Sequence, residues 1–234
     1  MRVDLDLRWR YRSIVSFTGL IVSLCGLIML SPLIALPWWP DESRLAQGFI
    51  RPGLLLVVLG VATWRFLLPR RGQALTVQDG GVIVLLSWVI VTVVSSLTFM
   101  ILMDLGFTLA LFESVSAWTT TGLSVVDVDE APRVILLWRS TMQLAGGAGM
   151  AINLVTLAGG PLGAGLAVAE GRSDQLVPHV RRSARLVLTI YAAYAFIGSI
   201  ALRIAGMSWF DAVNHAFCEV STGGHEAAPG SPPR

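Results

Sequence analysis

Five long apolar runs alternate with short polar segments along the chain, at residues 14–36, 49–68, 80–103, 134–158 and 186–206. A helix of about 20 apolar residues crosses the hydrocarbon core of a bilayer, so each run predicts a transmembrane helix. The first run is longer than the apolar part of a signal peptide, and no A-x-A cleavage pattern follows it. The pattern therefore predicts an all-α polytopic membrane protein with about five transmembrane helices.

Two shorter segments have a different character: FESVSAWTTTGL at 112–123 and FCEVSTGG at 217–224. Consecutive β-branched residues followed by glycine form a poor helix interior, so each segment predicts a short helix that runs into an extended turn. Gly122 and Gly223 are 101 residues apart, and the same shift superimposes the apolar run 82–103 on 183–204. The sequence thus predicts an internal repeat of apolar helix, short helix and Thr-Gly turn.

A single Thr-Gly turn is most simply a helix C-cap, but two equivalent copies between apolar spans favour re-entrant pore hairpins. Irregular backbone at membrane depth must be buried by protein or line water. Carbonyl groups in such a turn can replace the hydration shell of a cation, and glycine permits the dihedral angles that this requires. The partial negative charge at the end of the preceding helix also favours cations.

Composition and charge agree with a membrane protein. Apolar residues make up 54% of the chain, charged residues 14%, and the mean hydropathy is +0.70. The net charge of +2 is too small to suggest nucleic-acid binding. Because cytoplasmic loops carry the excess of basic residues, arginine placement predicts a cytoplasmic N-terminus, with both hairpins entering from the outer side. The arginines then inside are Arg2, Arg8, Arg10, Arg12, Arg70, Arg71, Arg172, Arg181, Arg182 and Arg185, and those outside are Arg44, Arg51 and Arg133.

Several polar and small residues lie within or near the apolar segments. Arg139 requires a partner or an interface position, and the alternatives are pairing with Glu113 or snorkelling to the outer surface. The glycines at 146–149 predict close helix packing, since a phosphate loop would need a preceding strand and a Lys-Ser/Thr ending. Cys25 and Cys218 are predicted to be small buried residues, and His215 a hydrogen-bonded packing residue. The spans contain no hydrolase or metalloprotease motif, so the sequence does not predict an enzyme.

Three blocks, FESVSAWTTTGL, LLWRSTMQLAGGAGM (136–150) and SWFDAVNHAFCEVSTGG (208–224), resemble the Trk/Ktr-type potassium transporter family, and specifically its TrkH-like membrane subunit. The resemblance covers residues 80–224 and implies a potassium-channel-like fold, in which four helix-pore-helix repeats surround one pore. It implies that potassium is the substrate, with no cofactor. By position, it assigns the potassium-binding carbonyls to Thr120, Thr121, Gly122, Ser221, Thr222 and Gly223.

The resemblance also implies partners and a location. Members of this family sit in the bacterial inner membrane in contact with lipid and work as homodimers. They bind a cytosolic nucleotide-binding regulatory subunit of the Trk A type. In this chain the resemblance implicates the segment 172–185 in that contact.

The resemblance stops after the second filter strand, where third and fourth repeats would follow. The sequence therefore predicts a fragment, a prematurely stopped product or one piece of a larger assembly. His225 and Glu219 depart from the family pattern near the second strand. The predicted division is an N-terminal helix pair at 1–79, a first repeat at 80–158, a cytoplasmic loop at 159–185 and an incomplete second repeat at 186–234. The alternative function is a non-transporting half-pore with a structural or regulatory role.

Overall fold

The computed structural model describes residues 2–68, 77–158 and 176–222, and this part of the chain is all-α. The helices are α1 (Arg2–Met29), α2 (Ala46–Leu67), α3 (Val77–Met103), α4 (Phe107–Trp118), α5 (Arg133–Ala158), α6 (Leu176–Ile204) and α7 (Trp209–Val220). Two of them, α4 and α7, are only 12 residues long. These are the two short helices that the sequence predicts before the Thr-Gly turns.

Four helical stretches have the length and hydropathy of a membrane span: Arg8–Trp38, Pro40–Leu67, Gln78–Met103 and Ala184–Ile204. They correspond to four of the five predicted spans. The fifth, α5, has 26 residues, but Arg139, Gln143 and its glycines lower its hydropathy. The prediction of an all-α membrane protein of this type is confirmed.

Helix bounds differ from the prediction at two places. The first helix extends back to Arg2 and ends at Met29, where Pro32 and Pro37 shift the chain into short 3₁₀ turns at Ser31–Ile34, Leu36–Trp38 and Pro40–Leu45. Proline lacks the N–H that a continuing α-helix needs. The helix of the predicted span 186–206 begins earlier, because residues 176–185, which the sequence predicts as a polar loop with some helix in it, form the first turns of α6. Residues 159–175 lie outside the described ranges.

The chain divides into two compact units, Met1–Val115 and Ser116–Arg234, and the division falls within α4. In the first unit α1 and α2 form an antiparallel pair whose backbones meet at glycines. Gly19 lies against Gly60, and Gly26 against Gly53 and Leu56. A methyl group at these positions would collide with the facing backbone, so the glycines set the close helix separation.

The helix α3 packs against both α1 and α2 in the first unit. Arg10 Nε donates to Asp79 Oδ1 at 2.5 Å, which joins the N-terminal part of α1 to the start of α3. At the other end of α3, Thr98 donates to the carbonyl of Gly48 at 3.1 Å. Both ends of α3 are thus fixed by polar contacts.

In the second unit α5, α6 and α7 pack against one another. Ser140 on α5 donates to Asn214 Oδ1 on α7 at 2.5 Å, and both residues are buried. Trp138 packs edge to face against Trp118, with 6.2 Å between ring centroids. These contacts hold α5 beside the ends of both short helices.

Candidate functional site

The first Thr-Gly turn begins with a well-defined end to α4. The N–H of Thr120 donates to the carbonyl of Ala117 at 3.2 Å, and the N–H of Thr121 donates to the backbone carbonyl of Ser116 at 3.0 Å. This pair of bonds is the Schellman arrangement, which usually has glycine in its left-handed position. Here that position is Thr120, with φ of 57°. A β-branched residue in this conformation costs about 1–3 kcal/mol of backbone strain.

Gly122 is not part of the helix cap at Thr120. It lies two residues beyond Thr120 and has its own positive φ of 81°. The cap is complete without it, so Gly122 governs the direction of the backbone after the helix end. An ordinary C-cap therefore accounts for Thr120 and does not account for the glycine.

Three successive carbonyls in this turn have no partner within the described residues. No N–H or O–H of residues 2–68, 77–158 or 176–222 donates to the carbonyls of Thr120, Thr121 or Gly122. Both ends of the segment are held, because Ser116 Oγ donates to the carbonyl of Leu123 at 2.5 Å. The turn is a fixed backbone loop with acceptors available to a cation.

The second turn has the same local geometry. Ser208 caps the start of α7 by accepting from the N–H of Asp211 at 3.2 Å. After the helix end, the N–H of Thr222 donates to the backbone carbonyl of Glu219 at 3.0 Å, and Thr222 has φ of 59°. A threonine therefore occupies the left-handed position here as well. Ser221 is buried beside it, and Gly223 lies outside the described residues.

This geometry corrects the predicted repeat shift of 101 residues. The helices α4 and α7 begin at 107 and 209 and end at 118 and 220, so the shift between them is 102. Thr120 matches Thr222 under the same shift, in both backbone angle and hydrogen bond. Matching the first glycine of each segment gave the wrong register, because the left-handed residue is threonine in both copies. Under the observed shift Gly122 corresponds to Gly224 rather than Gly223.

Two adjacent glycines of α5 contact the two turns. A Cβ at Gly146 would overlap the carbonyl group of Trp118, the last residue of α4. A Cβ at Gly147 would lie 2.9 Å from Cβ of Ser221, the residue after α7. The prediction of close packing at this cluster is confirmed for Gly146 and Gly147, whereas Gly149 faces open space.

Sequence reasoning missed Ser116, Ser140 and Asn214, which fix the turns and their helices. Asn214 bonds Ser140 and also donates to the carbonyl of Phe210 at 2.8 Å. The available signal was polar residues within short apolar helices, since a buried polar group normally has a hydrogen-bond partner.

Other predicted residues have clear outcomes. Arg139 is only 2% exposed, so the alternative in which it snorkels to the surface is wrong. Glu113 is also buried but belongs to the other unit, and its pairing with Arg139 stays a prediction.

His215 Nδ1 lies 2.9 Å from the carbonyl of Asp211, which confirms its hydrogen-bonded role. Cys218 is buried as predicted, whereas Cys25 is half-buried.

Comparison with known proteins gives consistent matches. The family model TrkH, described as a cation transport protein, matches residues 47–231. The chain is 32% identical to the Trk system potassium uptake protein TrkH of Vibrio parahaemolyticus, over 94% of this chain and 47% of that protein. An uncharacterised cation transporter of Methanocaldococcus jannaschii is 29% identical over 90% of this chain and 44% of its own length.

The fold has a solved counterpart. The crystal structure of the potassium transporter TrkH from Vibrio parahaemolyticus superimposes with a TM-score of 0.72 and 29% identity, covering 88% of this chain and 42% of that one. The chain spans about half the length of the curated relatives that it matches. The family model covers most of the chain, and the chain therefore belongs to the TrkH family of cation transport proteins.

Proposed function

We propose that this chain is part of the membrane-embedded subunit of a Trk-type potassium uptake system, to which it contributes two strands of the ion filter. The observation that carries the proposal is the repeated turn, in which a left-handed threonine follows a short helix. In the first copy the carbonyls of Thr120, Thr121 and Gly122 accept no bond from the described residues. Similarity to proteins named for potassium uptake supplies the substrate.

The chemistry of the turn suits a dehydrated monovalent cation. Backbone carbonyls can replace water ligands around potassium at modest cost, since each carries only a partial charge. The carboxyl ends of α4 and α7 add partial negative charge at the turns. In the second strand the resemblance assigns the ligands to the carbonyls of Ser221, Thr222 and Gly223. The shift of 102 residues between the short helices instead makes Thr222, Gly223 and Gly224 equivalent to the three residues of the first strand, and these are the ligands that we propose.

The remaining features of the proposal follow from the resemblance and the arginine distribution. We place the N-terminus in the cytoplasm and the protein in a bacterial inner membrane. The proposed partners are a second copy of the transporter and a cytosolic nucleotide-binding regulatory subunit of the Trk A type. The arginines at 172–185 are the proposed contact region for that subunit.

Potassium uptake in cells that lack their own potassium systems tests the filter. We expect growth at low potassium with the unchanged chain, and loss of that growth with the double variant Gly122→Ser and Gly224→Ser. The single variants Gly223→Ser and Gly224→Ser distinguish the two registers, because the glycine equivalent to Gly122 should be the more sensitive of the two. The matched control is Gly149→Ser, because a side chain at Gly149 meets no atom within 4 Å.

Membrane insertion of each variant is checked by quantifying the folded protein in the membrane fraction. Equal growth of the unchanged chain and the Gly122 and Gly224 variant, at equal amounts of protein, would exclude filter-dependent transport. Loss of growth with Gly149→Ser as well would show that the assay reports general damage to the fold.

A non-transporting half-pore is the second candidate. The observation that favours it is the presence of two filter-like turns in the described part of the chain, where the resemblance implies four around a pore. This candidate predicts normal membrane insertion without potassium uptake by the chain alone. It also predicts that the chain co-purifies with a TrkH-family partner when the two are expressed together.

A further inference from the structure

A carboxylate lies at the carboxyl end of the second short helix, where a negative charge is unfavourable. Glu219 is in the last turn of α7, and its side chain is exposed rather than packed among protein atoms. The carboxyl end of a helix already carries partial negative charge, so an acidic residue there raises the local negative potential. No hydrogen bond or ion pair joins the Glu219 carboxylate to another residue of the described ranges.

The position of this carboxylate along the membrane normal follows from its neighbours on α6. Glu219 lines a groove together with Ile190, Tyr191, Tyr194, Ile197 and Gly198. These α6 residues lie near the middle of the membrane-length stretch Ala184–Ile204. A charge at that depth is costly, and intramembrane acidic residues normally have a cationic or proton-bearing partner.

The rest of the groove is apolar and aromatic. The groove is open on one side and has Ile190, Ile197 and Val220 among its lining residues. Tyr191 and Tyr194, one helical turn apart on α6, line the same groove as Glu219. Aromatic faces around a negative charge are the usual recognition site for quaternary ammonium groups.

We propose that the groove between α6 and the end of α7 binds a lipophilic organic cation of the quaternary ammonium class. The Glu219 carboxylate supplies the charge, Tyr191 and Tyr194 supply aromatic faces, and Ile190 and Ile197 contact the apolar arms. The site adjoins the second turn, because the ring of Tyr191 lies close to Gly147 on α5, as Ser221 does. It is formed by the Glu219 side chain and residues of α6 rather than by the carbonyls of the turn.

Calorimetric titration of the purified chain with tetrabutylammonium tests the site directly and does not depend on transport. We expect saturable binding with one site per chain. Replacement of Glu219 by Gln should weaken binding by at least about tenfold, and Tyr194→Leu should weaken it to a similar degree. Tyr194→Phe should retain binding, because it keeps the aromatic face and removes only the hydroxyl group.

The matched control is Asp129→Asn, which removes an exposed carboxylate from the turn after the first filter segment. It should leave the affinity for tetrabutylammonium unchanged. Thermal unfolding of each variant confirms that the fold is retained.

Three results would overturn the assignment. Absence of saturable binding to the unchanged chain would remove the site, and equal affinity of the Glu219→Gln variant would remove the role of the carboxylate. Displacement of tetrabutylammonium by potassium chloride, but not by sodium chloride at equal ionic strength, would assign the groove to the transported ion instead. None of these results bears on whether the filter turns conduct potassium.

Discussion

At the residue scale, the most informative positions are the two left-handed threonines. Thr120 and Thr222 follow their helices at the same place and have φ of 57° and 59°. Glycine would adopt this conformation without strain, so both turns carry backbone strain at a threonine.

The strain at Thr120 gives a first prediction. Replacement of Thr120 by Gly should raise the free energy of unfolding by about 1 kcal/mol, because glycine relieves the left-handed strain and Thr120 makes no side-chain hydrogen bond in the described part of the chain. Thermal unfolding in detergent measures the change. Thr119→Gly is the control and should lower stability, since Thr119 Oγ1 contacts Thr121 Oγ1 at 2.7 Å. A Thr120→Gly variant as unstable as Thr119→Gly would contradict the strain argument.

At the residue scale, the sequence correctly predicted where a helix ends, because that depends on local composition. The run Thr119–Thr121 with Gly122 predicted a helix end, and α4 ends at Trp118. The register of the repeat was wrong by one residue because propensity places glycine, not threonine, in a left-handed cap. The partner of a hydrogen bond such as that from Ser116 to Leu123 depends on the folded turn, so the sequence signals only that the polar residue needs a partner.

At the element scale, α5 is the support for both turns in its unit. Gly146 and Gly147 are adjacent, and each faces the backbone or Cβ of a different turn. Helix α5 is polar for a span because it carries Arg139, Ser140 and Gln143, all buried. Its polar residues are therefore packed against protein rather than lipid.

The two turns make α5 sensitive to small substitutions. Gly146→Ala should lower the free energy of unfolding by about 1–3 kcal/mol, because the added methyl group meets the Trp118 carbonyl, which cannot move without disturbing the cap. Gly149→Ala should be neutral or stabilising by up to about 1 kcal/mol, since it gains helix propensity in open space. Urea or thermal unfolding in detergent measures the stability of the Gly146→Ala and Gly149→Ala variants. Equal stability of both variants would mean that Gly146 is not a packing position.

The antiparallel pair α1 and α2 gives a second prediction at this scale. Gly60→Ala should lower stability, because its Cβ would lie 2.5 Å from the carbonyl oxygen of Gly19 and 2.6 Å from the backbone nitrogen of Ser23. Helix crossings of this kind lose close backbone contact when a small residue is enlarged. The control is Gly80→Ala on α3, which meets no atom within 4 Å. Heat-induced loss of helical circular dichroism should occur at a lower temperature for Gly60→Ala alone, and identical melting curves would contradict the packing role.

The helix bounds show which helices could be located from the apolar pattern of the sequence alone. The runs at 49–68 and 134–158 closely match α2 and α5, because apolar length alone determines a span. The start of α1 at Arg2 was missed because its first turns are charged, and charged residues do not oppose a helix outside the membrane. The start of the corresponding span was placed at residue 186 rather than at Leu176, because the arginines before it favour a polar loop with only some helix in it.

At the scale of the whole molecule, the chain belongs to the TrkH family, and it spans about half the length of its relatives. The all-α architecture was predictable from hydropathy. Four of the five predicted spans correspond to membrane-length apolar stretches of the described residues, and α5 is the exception. The division into Met1–Val115 and Ser116–Arg234 was not, since it depends on which helices pack together and falls inside α4. Substrate and partners came from resemblance, and they remain proposals for this chain.

The central claim is that the carbonyls of the Thr-Gly turns bind potassium. Isotope-edited infrared spectroscopy tests it most directly, with ¹³C placed in the carbonyl of Thr121 or Gly122 and, as the control, in that of Leu123, which already accepts a bond from Ser116. We predict that replacing N-methyl-D-glucamine by potassium shifts the amide I band of the Thr121 and Gly122 labels and leaves the Leu123 band unchanged. An unchanged band at Thr121 and Gly122, or an equal shift at all three positions, would contradict the claim.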